Sequence, residues 1–305
     1  MLSCPMGLLP ANRFNACAQK VTVAGAPVSL DARCPAERVS SAPMDQPRAN
    51  EEFRRVLSGE EPGFERLRVA MKRIPSSPRC KLCAAPFEGA GGALLRHLGF
   101  GRFPGNPALC NNCITSFKKR GQMGAEIPVT LLFADVRGST GIAEGMRPAE
   151  FRAFLDHFYT IGADTILQGD GLVDKVVGDE VIGLFFGGVS GPRHSSAALT
   201  AAIELLQRAG RDDASPTGPI PIGAGVHTGE AYVGTTGPQG AVEDFTALGD
   251  VVNTTARLAS TAARGELLVT LAAAEAAGHP INGLERRSLE VRGRHEPVEV
   301  IVIRP

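Results

Sequence analysis

The 305-residue chain balances 32 Lys and Arg against 32 Asp and Glu, with 43% hydrophobic and 21% charged residues. These proportions exclude wholesale disorder and a collagen-like repeat, and fit a globular chain long enough for two modest cores. No apolar run nears the roughly 20 residues of a membrane helix. The opening MLSCPMGLLPANRFNACAQK has no leading basic stretch and is broken by proline, so no secretory signal is expected and the expected location is the cytoplasm. Charge is unevenly divided: residues 51–124 carry 13 basic and 6 acidic side chains, residues 125–305 carry 14 and 23. That asymmetry suggests two units with different partners.

Residues 1–47 show no periodicity and are expected to be disordered or a non-native extension, with Met44 before DQPRANEEF as an alternative start. Residues 48–78 are expected to hold two short helices. Asn50 can cap NEEFRRVL, and Pro62 opens a second helix with Phe64, Leu67 and Met71 on one side. After the RIPSSPRC break comes a cysteine segment, residues 79–120. The apolar run VTLLFAD from Val129 predicts a buried strand. Pro148 opens a helix with Phe151, Phe154, Leu155, Phe158 and Ile161 on one face. LVDKVV and VIGLFF flank Gly178-Asp179-Glu180 and predict a hairpin. A helix over 194–209 turns Ala198, Ala201, Ala202 and Leu205 inward. IPIGAGVHTG and EAYVGTTG predict two strands, a helix runs from near Asp250 to Gly265, and ELLVT and PVEVIVI supply the last strands. The resulting β-α-β-β-α-β order predicts an α+β, ferredoxin-like domain over residues 125–305, an antiparallel sheet with helices on one face.

Four of the seven cysteines form two CxxC pairs, Cys80/Cys83 and Cys110/Cys113. Each pair makes a two-thiolate knuckle, and two knuckles complete a tetrahedral S4 site. One structural Zn2+ suits it best, with an iron–sulfur cluster second and two independent thiol pairs as the alternative. The protein fills all four positions, which disfavours a catalytic zinc. Cys4, Cys17 and Cys34 carry no usable pattern. Around the knuckles lie Arg79, Lys81, Arg96, Arg102, Lys118, Lys119 and Arg120, with Phe87, Phe100, Phe103 and Phe117 among them. Basic and aromatic residues together are compatible with nucleic-acid binding. The favoured reading is a solvated face on a small module docked on its neighbour, so nucleic acid is not the expected partner.

Asp135 ends the first long strand and precedes Val-Arg-Gly-Ser-Thr, while Asp179 sits at the hairpin tip. A strand-end carboxylate followed by a small-residue turn suits a phosphate–metal site. Two carboxylates brought together can hold two metal ions for phosphoryl transfer. Either aspartate alone reads more simply as a turn residue or cap.

Residues about 127–305 resemble the catalytic domain of class III nucleotidyl cyclases. The resemblance rests on FADVRGST (133–140), DKVVGDEVIGLF (174–185), GAGVHTGEAYVG (223–234), DFTALGDVVNTTARLAS (244–260) and VRGRHEPVEVIVI (291–303), in the family's order and spacing. It implies that Asp135 and Asp179, with the backbone carbonyl of Val136, bind two Mg2+ or Mn2+. It implies that Lys175 and Thr246 select the purine, the Lys/Thr choice pointing to ATP, where guanylate cyclases typically place Glu and a small residue. A Lys donor suits adenine N1, and a Thr hydroxyl can accept from the exocyclic amine. Asn253 and Arg257 would act on ribose and α-phosphate, Arg292 on the terminal phosphates, and the Gly138-Ser139-Thr140 turn on the phosphates. One departure stands out: the stretch before DFT, GPQGAVED, offers Ala241 and Val242 where many members have an arginine, so either another arginine such as Arg137 substitutes or triphosphate binding is weaker. In the family the site lies between two catalytic domains, so the resemblance implies that this single domain, carrying both residue sets, acts as a head-to-tail homodimer with shared sites. The expected function is therefore an adenylate cyclase regulated by its N-terminal module. A silent nucleotide-binding signalling protein, a zinc-module nucleic-acid binder and GTP cyclisation are the alternatives.

Overall fold

The computed structural model describes residues 46–119, 124–211, 218–237, 244–291 and 296–305. The expected disorder of residues 1–47 therefore lies almost wholly outside the described residues, as do Arg292, Ala241 and Val242.

The first helix, α1 (Gln46–Ser58), starts ahead of Asn50, so Asn50 lies within it and does not cap it; Pro47 falls in the first turn, where a missing N–H costs nothing. Next comes α2 (Pro62–Lys72), opened by proline as expected. The cysteine segment holds α3 (Gly89–Leu95), a π turn over Arg96–Phe100, the paired strands β1 (Arg102–Phe103) and β2 (Asn106–Cys110), and α4 (Asn111–Lys119). The rest of the chain runs β3 (Gly124–Val136), α5 (Ser139–Glu144), α6 (Pro148–Gln168), β4 (Leu172–Val177), β5 (Glu180–Phe186), α7 (Gly187–Ser190), α8 (His194–Gly210), β6 (Ile222–Thr236) and β7 (Asp244–Leu248). It ends with α9 (Asp250–Thr261), β8 (Leu267–Thr270), α10 (Leu271–Ala276), β9 (Glu285–Leu289) and β10 (Val298–Ile303).

One sheet has the order β4-β5-β3-β6-β8-β10-β9, with β7 on the far half of β6. Its pairs are antiparallel except β6 with β8. The expected hairpin is β4–β5. The two strands expected over residues 220–236 are instead one continuous strand, β6. Its partner β3 pairs without interruption from Gly124↔Gly234 to Val136↔Ile222, and extended Gly229 simply opposes Val129. The long strand then serves two neighbours, β8 near its start and β7 near its end. Strand β9 was not predicted, because its sequence ERRSL carries no apolar alternation; it is a charged edge.

The sheet is covered on both faces, not one. Leu132, Ala134 and Val136 meet Phe154, Phe158 and Ile161 of α6 and Ala198, Ala202 and Leu205 of α8. The opposite parity, Ile127, Val129, Leu131 and Phe133, meets Phe53, Val56 and Leu57 of α1, Leu82, Phe87, Leu109 and Phe117 of the cysteine segment, and Val251 and Ala259 of α9. A continuous apolar run such as VTLLFAD signals burial on both sides, but the second cover lies far away in sequence.

The N-terminal elements are thus seated on the sheet. The Phe53 and Phe117 rings pack with centroids 4.4 Å apart, tilted by 57°. Arg68 of α2 donates to the carbonyls of Gly188 (2.9 Å) and Val189 (3.1 Å). Gly187 must lack a side chain because a Cβ there would collide with the Ser58 carbonyl. Phe53→Ala is expected to cost about 3–5 kcal/mol of stability. Urea unfolding should show a lower midpoint with little change in slope. A midpoint equal to wild type would mean that α1 is not held to the sheet.

Candidate functional site

The acidic end of the site is built by strand register. Asp135 opposes Glu180, so the Gly178-Asp179 turn lies at the end of β3. Gly178 adopts φ 62, as a two-residue hairpin turn requires. The Val136 N–H donates to the Asp179 carbonyl at 3.0 Å, tying the turn to the strand. Ser139, at the start of α5, donates its hydroxyl to Asp179. Gly138 before it is left-handed (φ 69), and Gly138 and Thr140 are exposed.

Three carboxyl groups therefore crowd together: Asp135, Asp179 and Glu180. Burial, with Asp135 and Asp179 adding to it, pushes Glu180 up to about 7. Burial also raises Asp135, against the pull of Arg137. The Arg137 guanidinium lies 2.5 Å from the Asp135 carboxylate and also donates to the Ser260 carbonyl at 2.8 Å. Asp135 and Asp179 at one sheet end are hard-oxygen donors of the kind that suits Mg2+ or Mn2+. Glu180 and the engagement of Arg137 with Asp135 are additions to the expected set. The sequence signal for Glu180 was its place beside the hairpin tip.

A second cluster lies where β4 meets β7. Lys175 and Thr246 come together through a residue the sequence reading passed over, Asp174. Thr246 donates its hydroxyl to Asp174 at 3.0 Å, and the Lys175 ammonium lies 3.7 Å from the same carboxylate oxygen. The Asp174 side chain is only 6% exposed, against 39% for Lys175. Burial pushes Asp174 up to about 6, with Lys175 and Thr246 opposing. Among the described residues its other oxygen, Oδ1, is buried without a hydrogen-bond partner, an arrangement that costs about 1–3 kcal/mol. Asp174 reaches this side because β4 is bulged: Val173 pairs with Gly183 and Lys175 with Ile182, leaving Asp174 as the extra residue.

Asn253 and Arg257 lie four apart on α9 and are both exposed. Among the described residues, no hydrogen bond or ion pair links either of them to Asp135 or Asp179. Arg292 lies outside the described residues.

The four cysteines form a separate centre. Their sulfur atoms all lie within 4.8 Å of one another, and all four residues are buried. Cys83 and Cys110 sulfurs are 3.7 Å apart, close to the edge of about 3.8 Å for a tetrahedron with 2.3 Å Zn–S bonds. The neighbouring Cys110 thiol, with the other sulfurs and burial, holds Cys113 well up. Such a set fits a thiophilic divalent cation that neutralises the thiolates. The basic and aromatic side chains nearby are mostly engaged. Phe87, Phe103 and Phe117 are buried. Arg79 donates to the carbonyls of Met71 and Ala84, and Arg102 sits 4.6 Å over the Phe87 ring. Lys81 donates to the Leu167 carbonyl at 2.6 Å, and buried Asn106 to the Val173 carbonyl at 2.7 Å.

Aspartates at one end of an α+β sheet, and a Lys/Thr pair from β4 and β7 joined through one buried carboxylate, suit a nucleotide-binding catalytic domain. Residues 122–304 match the adenylate and guanylate cyclase catalytic domain, and the chain belongs to that family. Adenylate cyclase of Anabaena cylindrica is 33% identical over 138 residues, which take in 43% of this chain and 26% of that protein. The chain thus matches about a quarter of that relative. The guanylyl cyclase Cya2 superposes with a TM-score of 0.55 at 27% identity, over 59% of this chain and 93% of that one. The adenylyl cyclase CyaB from P. aeruginosa superposes at 0.52 and 25%, over 59% and 95%. Similar proteins thus include cyclases of both purines. Among the described residues, no helix is long and apolar enough to cross a membrane.

Proposed function

We propose that the protein is an adenylate cyclase, converting ATP to cyclic AMP and pyrophosphate at sites shared between two copies of the chain. The observation that carries this reading is the convergence of Asp135 and Asp179 at one sheet end, with Lys175 and Thr246 joined through Asp174. Divalent cations held by Asp135, Asp179 and the Val136 carbonyl would acidify the ribose 3′-hydroxyl and neutralise the triphosphate. Lys175 donates to adenine N1, and Thr246 accepts from the exocyclic amine. Guanine carries a proton at N1, which Lys175 would oppose. Asn253 orients the ribose, and Arg257, charged at any working pH, stabilises charge on the α-phosphate as the 3′-oxygen displaces pyrophosphate. The Gly138-Ser139-Thr140 turn and Arg292 take the remaining phosphates. No protein nucleophile takes part; positioning and charge carry the rate.

The homodimer reading is supported by the exposure of Asn253 and Arg257, which leaves them free to complete a neighbour's site. It is also supported by exposed Val176, Val177 and Leu248 on strands β4 and β7, apolar surface that a partner would cover. The N-terminal module, with one structural Zn2+ on Cys80, Cys83, Cys110 and Cys113, acts as the regulatory element. Asn106 grips the β4 carbonyl of Val173, one residue before Asp174, so a change in the module is felt at the purine pair.

Purified protein supplied with ATP or GTP and Mg2+ or Mn2+, beside Asp135→Ala, tests the reading. Cyclic AMP from wild type and none from the variant is the expected result. Cyclic GMP as the main product, or equal turnover by the variant, overturns it.

A further inference from the structure

We infer that Asp174 is a positioning residue that sets the purine choice by fixing which way the Thr246 hydroxyl points. The inference rests on the adenylate reading above. A threonine hydroxyl has one proton and can either donate or accept, so by itself it cannot tell the amine of adenine from the carbonyl of guanine. Here the proton is already committed. A carboxylate can only accept, and Thr246 donates to it at 3.0 Å, the Ala247 carbonyl at 3.5 Å being the longer, weaker acceptor of the same proton. What Thr246 can still offer a purine is a lone pair, which suits an amine and repels a carbonyl.

The surroundings hold Asp174 to that task. Burial of its side chain, 6% exposed, works against the ionised form, and the Lys175 ammonium 3.7 Å away and the Thr246 hydroxyl pull it back. The bulge in β4 puts Asp174 and Lys175 beside Thr246, where regular alternation would send two consecutive side chains to opposite faces. Among the described residues the second carboxylate oxygen is buried without a partner, which makes an acid here costly to keep.

The test compares wild type, Asp174→Asn and Asp174→Ala for the ratio of kcat/KM on ATP to that on GTP. Asparagine keeps the shape but offers a donor and an acceptor, so it frees the hydroxyl to turn. Both variants should lower the ratio by about tenfold or more, the size of one misdirected buried hydrogen bond, chiefly through a lower KM for GTP. Dissociation constants for the two nucleotides give the same ratio without turnover. In a Thr246→Val background, Asp174→Asn should leave the ratio unchanged, because there is no hydroxyl to orient; a purely structural role would persist there. An ATP-selective wild type whose ratio is unmoved by Asp174→Asn, or moved equally in the Thr246→Val background, overturns this assignment alone. A wild type that prefers GTP overturns the adenylate reading together with it.

Discussion

Mixing Asp135→Ala protein with Arg257→Ala protein is expected to restore about one quarter of wild-type cyclase activity, although each variant alone is nearly inactive. In the proposed mechanism, loss of the Asp135 carboxylate removes a ligand of the cation clamp, and loss of Arg257 removes charge stabilisation at the reacting phosphate. Each deficit is worth several kcal/mol, or about a thousandfold in rate. The two residues lie at different places on one chain, with Asp135 at the end of β3 and Arg257 on the exposed side of α9. If each site takes Asp135 from one copy and Arg257 from the other, every mixed dimer has one intact site and one doubly damaged site. Random pairing makes half the dimers mixed, and half the sites in those are intact. Cyclic AMP production, measured with size-exclusion proof that mixed dimers form, reads the outcome. No rescue in confirmed mixed dimers would mean that each chain carries its own complete site.

Cys110→Ser is expected to abolish metal binding at the cysteine centre and to lower the unfolding midpoint by about 10 °C or more. Apparent metal-binding energies at structural zinc sites reach about 10–16 kcal/mol and are spent on folding, and each kcal/mol shifts Tm by about 2–4 °C in a chain of this size. The effect should not stop at the knuckles. Cys80, Cys83, Cys110 and Cys113 belong to the same buried cluster as Phe53 and Leu57 of α1 and as Val129 and Leu131 of the central strand. Loosening the module therefore loosens one face of the catalytic sheet, and cyclase activity should fall although no cysteine lies at Asp135. Elemental analysis should find about one zinc per chain in wild type and none in the variant, with calorimetry giving the midpoint. Wild-type protein free of metal, with the variant equally stable, would reduce the four thiols to ordinary core residues.

Much of the catalytic half was legible from local signals. The hairpin was readable because Gly178 and Asp179 separate two apolar runs, and α6 because Pro148 precedes a helical-period apolar face. The single long strand β6 was not, because glycine-rich sequence looks like a break when the partner strand that holds it extended is a hundred residues away. Coverage of the second sheet face was not legible for the same reason: a strand's alternation says that a face is buried, not by what.

Order and spacing of motifs were enough by themselves to mark the family, to nominate Asp135, Asp179, Lys175, Thr246, Asn253 and Arg257, and to pair the CxxC knuckles. Each of these is a short-range pattern in which residue type and separation carry the chemistry. Only the tertiary structure decided that Glu180 lies beside Asp135 and Asp179, that Arg137 is engaged with Asp135, that α1 and the cysteine segment share the core of the catalytic sheet, and that Asp174 joins Lys175 to Thr246. Those depend on strand register, on a bulge that breaks the two-residue alternation, and on contacts between segments far apart in the chain, none of which local spacing encodes.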